Sequence, residues 1–264
     1  MAQGAAEPGS ELPVAREFAS ASDAGRVRRH NEDAVGFDAL TGLAVLADGM
    51  GGHRAGEVAS EMTVATVVAD LARWRRAMPA IAPALAARQA VQRSVDHANA
   101  LVLEASRTRP ECRGMGTTIV LLLFNGSQVL VGQAGDSRAY RWRSGQLERL
   151  TRDHSLLEEE VGAGKMTREH AVRLGLQHVV TRAVGVEDGI DLETQAHELQ
   201  PADMMLLCSD GLTDMLADAD IARVLAAGGP LPRLCGALVE AANAAGGVDN
   251  VSVVLTREPG GPAP

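Results

Sequence analysis

The chain has 264 residues, with 25 Lys and Arg against 34 Asp and Glu, for a net charge of −9. Its 46% hydrophobic and 22% charged content matches an ordinary globular protein, which excludes a disordered, collagen-like or coiled-coil chain. The acidic balance argues against nonspecific binding to nucleic acid or anionic lipid, and six aromatic residues, 2 Trp, 1 Tyr and 3 Phe, are too few to build a stacking platform for single strands.

Residues 1–16 mix Ala, Gly, Pro and Glu without periodicity and are expected to be a flexible tail, as is the Pro- and Gly-rich end, 258–264. No long linker or internal repeat interrupts 17–257, which reads as one domain. Strands are predicted at 34–37 and 42–47, followed by long Ala-rich helices over 56–76 and 84–106, with 78–83 as their connection. Strands follow at 117–124, 128–133, 137–143 and 146–150, the last two joined as a hairpin across Ser144-Gly145. Helices are expected at 155–161 and 167–174, the latter capped by Thr167. The remainder reads as strands at 191–198, 204–208 and 251–256, with helices at 218–226 and 231–245. Strands grouped around helix pairs imply an α+β fold with mostly antiparallel sheet.

Cys112, Cys208 and Cys235 are odd in number and widely spaced, which fits a reducing cytosol and not a disulfide frame or thiolate zinc site. No apolar stretch approaches the roughly 18 residues of a membrane span. The N-terminus lacks the basic and apolar regions of a secretory signal. A cytoplasmic protein is expected.

Acids recur at strand ends. Apolar runs finish in Asp48-Gly49, in Gly135-Asp136-Ser137 and in Ser209-Asp210-Gly211, and Asp249-Asn250 precedes the last strand. Each pair taken singly reads as a turn, as does Asp188-Gly189. Together they predict carboxylates converging on one rim, mutually repulsive without a cation. Gly49 and Gly211 are expected to turn the backbone sharply and bring a carbonyl near an ion. Oxygen ligands without a His/Cys pattern select Mg²⁺ or Mn²⁺ before Zn²⁺, with Ca²⁺ open although no EF-hand loop is present. Two ions bridged by one carboxylate would use this many acids. Arg28, four residues before Glu32-Asp33, has the planar fork that a phosphate dianion requires.

The ordered set Arg28-x-x-Asn31-Glu32-Asp33, Asp48-Gly49-Met50-Gly51-Gly52-His53, Gly114-x-Gly116-Thr117-Thr118, Gly135-Asp136-Ser137-Arg138, Asp153-His154-Ser155, Ser209-Asp210-Gly211-Leu212-Thr213-Asp214 and Asp249-Asn250-Val251-Ser252 resembles the PP2C (PPM) family of metal-dependent serine/threonine phosphatases, bacterial branch. The resemblance runs over about 19–256. It implies a four-layer αββα sandwich, two antiparallel sheets flanked by helix pairs, with a flap at about 155–182.

The resemblance also implies roles. Asp48 would bridge two Mn²⁺ or Mg²⁺ ions, and Gly49 would ligate through its carbonyl. Asp210 and Asp249 would complete the first metal, while Glu32 and Asp33 would hold the second or its waters. Asp136 with Asp210 resembles a third, weaker site. Arg28 would bind the substrate phosphate, and a metal-bridging hydroxide would attack phosphorus directly. Family members of the eukaryotic branch place His directly after the Asp-Gly, where this chain has Met50, so His53 is a candidate general acid or a residue orienting the Asp48 loop. His154 is expected to fix a turn by hydrogen bonding. The flap's first helix would be acidic through Glu158, Glu159 and Glu160, and Gly162-Ala163-Gly164 would be its hinge.

The function so implied is hydrolysis of phosphoserine and phosphothreonine in proteins, reversing a bacterial Ser/Thr kinase, by a monomer that binds neither nucleic acid nor membrane. Two other readings are open, a phosphoprotein-binding pseudophosphatase and a metal-dependent phosphodiesterase or nuclease. The complete acid set and the acidic surface argue against them respectively.

Overall fold

The structure is a computed structural model describing residues 16–52 and 55–258. In chain order it runs β1 (Glu17–Asp23), β2 (Asp33–Asp38), β3 (Leu43–Met50), α1 (Ala55–Arg76), α2 (Ala84–Thr108), β4 (Gly116–Thr117), β5 (Ile119–Asn125), β6 (Gln128–Ala134), β7 (Arg138–Arg143) and β8 (Gln146–Arg149). It continues α3 (Leu156–Gly162), α4 (Arg168–Arg173), β9 (Glu193–Glu198), β10 (Met204–Cys208), α5 (Asp210–Thr213), α6 (Asp218–Ala226), α7 (Leu231–Ala244) and β11 (Val251–Arg257).

One antiparallel sheet has the order β1-β11-β10-β7-β8 and the other β2-β3-β5-β6-β9, with β4 added against β3. The period-2 alternation of side chains explains how they stack. Along β3, Leu43, Val45 and Ala47 pack with Val67, Leu71, Val91 and Val95 of α1 and α2, whereas Ala44 and Leu46 face the other sheet, meeting Leu207 and Val254. Along β11, Val251, Val253 and Leu255 turn to Leu234 and Leu238 of α7, and Val254 turns inward. A strand buried on both faces needs apolar residues at every position, which is why these strands read as unbroken hydrophobic runs. The result is the α+β, four-layer αββα sandwich.

Most predicted elements form within a few residues of their expected ends. Ser144 and Gly145 both take positive φ, 50° and 78°, the turn that a right-twisted two-residue hairpin requires. Ser155 and Thr167 cap α3 and α4 by accepting from the amides of Glu158 and His170. Two elements were not anticipated. β1 is an edge strand of mostly half-exposed residues, formed because Glu17 to Asp23 pairs along its whole length with β11. α5 is a single turn beginning at Asp210, so this acid opens a helix and does not end a strand. Asp48 likewise lies inside β3, two residues before its end.

The segment 155–182 is a closed excursion. Ser155 bridges to Val180, and Thr181 N–H donates to the His154 carbonyl at 2.8 Å, so its ends meet. Glu158 pairs with Arg168 and Glu160 with Lys165 at 2.8 Å. At the other limits, Arg16 pairs with Glu258 and donates to the Gly126 carbonyl at 2.9 Å.

Candidate active site

Pairing of β2 with β3 sets Asp33 directly opposite Asp48, so both carboxyl groups lie on one face of the sheet. Asp210 approaches from the other sheet, near enough that its charge and that of Asp48 act on each other. The two sheets are tied at this point by Ser209, whose hydroxyl donates to Asp33 Oδ2 at 2.8 Å and accepts from the Ser252 amide at 3.0 Å. A cleft of about 580 Å³ opens here, walled by Arg28, Glu32, Asp48, Asp136, Asp210 and Asp249, with Gly49 also on its wall. The expected convergence of strand-end acids therefore occurs. Asp33 contributes no surface to this cleft, and its Oδ1 is buried without a hydrogen-bond partner.

The backbone around these acids is held by side chains. Thr118 Oγ1 accepts from the Asp48 amide at 3.0 Å, and Thr117 Oγ1 donates to the Asp48 carbonyl at 2.8 Å. Asn250 is buried and fully used: its Oδ1 accepts from the Glu32 amide at 2.7 Å, and its Nδ2 donates to the carbonyls of Ala24 and His30 at 3.0 and 2.9 Å. Ser60 on α1 donates to the Glu32 carbonyl at 2.6 Å. These residues occur within the recognisable motifs, but nothing in the sequence distinguished them as the clamps.

The glycines act differently from expectation. Gly49 and Gly211 are absent from the positive-φ glycines, so neither makes a left-handed turn. They are required for space. A Cβ on Gly49 would strike the carbonyl oxygens of Gly56 and Glu32, and one on Gly211 would strike the carbonyl of Asn250. Close approach of backbones at the rim is what excludes a side chain there.

Arg28 NH2 donates to Asp249 Oδ2 at 2.7 Å, and the hydrogen bond and charge of Asp249 raise the guanidinium pKa further. Its side chain is 58% exposed, so the pair is open to exchange with a ligand. His154 accepts from the Gly135 amide through Nδ1 at 3.2 Å and contacts Glu193 Oε2 through Nε2 at 3.1 Å, which fixes the proton on Nε2 and the turn before Asp136. Burial holds its pKa low, consistent with the expected turn-fixing role. His53 lies outside the described residues. Two groups that the sequence did not single out adjoin Asp210: His178 of the flap and Asp214, whose donor atoms with that of Asp210 lie within 4.8 Å of one another.

Burial and mutual repulsion push these acids toward protonation. Burial raises Asp33 to about 7, Asp136 to about 8 and Asp210 to about 6, with the charge of a neighbouring acid adding in each case. Asp48 is raised well above 3.8 by burial and then by Asp33, Asp210 and Asp136 around it. Glu32 is raised by burial as well. A cation would reverse this by compensating the charge. Asp210 Oδ1, like Asp33 Oδ1, is buried with no hydrogen-bond partner. Orphaned carboxylate oxygens in an all-oxygen donor set fit a hard divalent ion such as Mn²⁺ or Mg²⁺.

A carboxylate-walled cleft where two antiparallel sheets meet, inside an αββα sandwich, defines the class as a phosphatase-like metallohydrolase fold. The sequence profile described as Protein phosphatase 2C matches residues 24–244, and the chain belongs to that family. It is 36% identical over 239 residues to the serine/threonine phosphatase stp of Listeria monocytogenes, covering 89% of this chain and 93% of that protein. The S. agalactiae serine/threonine phosphatase structure superposes with a TM-score of 0.84 at 35% identity, covering 91% of this chain and 98% of that one. The catalytic domain of serine/threonine protein phosphatase PstP, in complex with two manganese ions, superposes with a TM-score of 0.78 at 35% identity, over 92% and 98% of the two chains. No helix among the described residues is long and apolar enough to cross a membrane.

Proposed function

We propose that this chain is a Mn²⁺- or Mg²⁺-dependent protein phosphatase that hydrolyses phosphoserine and phosphothreonine, acting against a Ser/Thr kinase. The observation that carries the reading is the junction of Asp33, Asp48 and Asp210, two of which, Asp33 and Asp210, hold a buried oxygen with no hydrogen-bond partner, beside a cleft walled by Asp48, Asp210 and Arg28. The likeness to the manganese-bound PstP domain supports two ions per chain.

Asp48, Gly49, Asp210 and Asp249 would hold one ion, and Glu32, Asp33 and Asp48 the other. When bound, divalent ions supply Lewis-acid polarisation of the phosphoryl oxygens and lower the pKa of water into the neutral range. The chain's own residues do the rest. Arg28 can exchange Asp249 for two nonbridging phosphate oxygens, a bidentate contact that orients phosphorus and offsets charge as it develops. Asn250 and Ser60 fix the Glu32 backbone from opposite sides, and Thr117 and Thr118 fix that of Asp48. The backbone carrying Glu32 and Asp48 is thereby preorganised. Asp136, beside Asp210, would serve a third and weaker ion, and His53 remains the candidate proton donor to the leaving alkoxide.

Hydrolysis of p-nitrophenyl phosphate in the presence of Mn²⁺ tests the reading. Turnover should depend on the metal and fall by at least about 100-fold in Asp210→Asn, the scale of losing one preorganised electrostatic group. Turnover that persists in chelator, or none with any divalent ion, overturns it.

A further inference from the structure

A second cavity, of about 290 Å³, opens beside the acidic cleft and shares two wall residues with it, Met50 and Val180. The two hollows therefore adjoin at those residues. The remaining apolar side chains of its lining are Ala183, Val186 and Ile190. Val186 and Met50 come together over Gly116, where an added Cβ would meet Val186 Cγ2 at 3.0 Å and Met50 Cε at 3.2 Å.

The wall is rigidly built. Thr117 and Val184 exchange backbone hydrogen bonds at 3.0 and 2.8 Å. Buried Asn99 of α2 accepts from the Gly185 amide at 2.7 Å and donates to the Glu187 carbonyl at 2.9 Å, and Gln92 donates to the Ile190 carbonyl at 3.2 Å. Yet on this pinned loop Val186 is 57% exposed. A segment held at four points with an aliphatic side chain left in solvent is a preformed apolar surface and not a collapsed core. Around the rim Arg182 pairs with Asp191 at 3.1 Å, and Glu187 adds a negative charge.

We infer that this cavity is a substrate-selecting pocket that takes an apolar side chain from the phosphoprotein, within about three residues of the phosphorylated one. The inference rests on the phosphatase reading above. Continuity through Met50 and Val180 selects the occupant: a polypeptide presenting its phosphate to Asp48 and Arg28 advances about 3.3 Å per extended residue, so its near neighbours must cross this wall. The apolar lining favours Leu, Ile, Met or Phe there, and the acids Glu187 and Asp191 at the rim disfavour Asp and Glu. Val186 and Ile190 set the preference, whereas the phosphoryl chemistry does not touch them.

The test is a set of phosphothreonine peptides carrying Leu, Ala or Asp at each position near the phosphothreonine, assayed with Mn²⁺ beside p-nitrophenyl phosphate. At one position Leu should exceed Ala in kcat/KM by about 10-fold, the scale of filling a hydrophobic pocket, with Asp below both. In Val186→Asp that preference should vanish while p-nitrophenyl phosphate is hydrolysed as before. Should this variant lose the small-substrate activity, Val186→Ser provides the same comparison without an added charge. Equal rates for Leu and Ala at every position, or a preference that survives both substitutions, overturn the pocket while leaving the phosphatase reading intact. Absence of turnover on p-nitrophenyl phosphate and on every peptide overturns the phosphatase reading itself.

Discussion

Asp33 and Asp48 face each other as a directly paired residue couple across the β2–β3 ladder, with Asp210 brought near Asp48 from the opposing sheet. Like charges at such a pair destabilise a sheet. The fold thus holds its acids in a strained arrangement that protons or cations can relieve, and this has a measurable signature.

For the metal-free protein, each of these carboxyls has a folded pKa above its unfolded value of 3.8, at about 7 for Asp33, about 8 for Asp136 and about 6 for Asp210. Between the two values the native state binds more protons than the unfolded state, so stability falls as pH rises from about 4 to about 8. Thermal unfolding in chelator should give a higher Tm at pH 6 than at pH 8, and Asp48→Asn should flatten that dependence. Mn²⁺ should raise Tm more at pH 8, where it does not compete with protons. A Tm in chelator that climbs over this range would contradict the electrostatic account.

Gly49→Ala tests whether the glycine serves space and not a turn. Its new methyl would press on the carbonyl oxygens of Glu32 and Gly56, the former belonging to the residue whose backbone Asn250 and Ser60 position. Overpacking of this kind costs about 1–3 kcal/mol. Chemical denaturation should show that loss, accompanied by weaker Mn²⁺ binding in calorimetry. Ala at Gly145, where nothing lies within 4 Å of an added Cβ, should leave Mn²⁺ affinity unchanged.

Asn250→Ala removes one acceptor and two donors that join the Glu32 amide to the Ala24 and His30 carbonyls. At about 1 kcal/mol for each hydrogen bond, a destabilisation of about 2–3 kcal/mol is expected. Asn250→Asp keeps the acceptor but turns a carboxylate oxygen toward the Ala24 and His30 carbonyls, so its denaturation midpoint should fall at least as far as that of Asn250→Ala.

Arg28→Ala should separate affinity from stability. The exposed pair with Asp249 contributes at most about 1 kcal/mol to folding. Loss of the fork should nevertheless lower kcat/KM for p-nitrophenyl phosphate by about 10–100-fold, the range of a charge-assisted contact worth about 1.5–3 kcal/mol. Arg28→Lys should recover only part, because a point charge cannot make the bidentate contact. Equal kcat/KM in wild type and Arg28→Ala would remove Arg28 from the site.

Much of this molecule was legible in the chain. The apolar runs of β3, β5, β10 and β11, the Ala-rich helices and the acids that follow or end the strands are local patterns, because burial on both faces of a strand dictates its composition residue by residue. What escaped were features whose cause lies elsewhere in the chain. β1 is extended because β11 offers it a full edge, while its own residues alternate too weakly to announce it. The true reason for Gly49 and Gly211 is the nearness of the Gly56, Glu32 and Asn250 carbonyls, which no window around those glycines contains. Asn250 reads as a turn residue until its three partners, 218 to 226 positions away, are seen. By itself the sequence determined the layers and the acids to be gathered. Only the tertiary structure decided which backbone groups hold them, how their charges act on one another, and that Met50 and Val180 line both the acidic cleft and the hollow beside it, because each of these depends on contacts made across the sheets or between loops far apart in the chain.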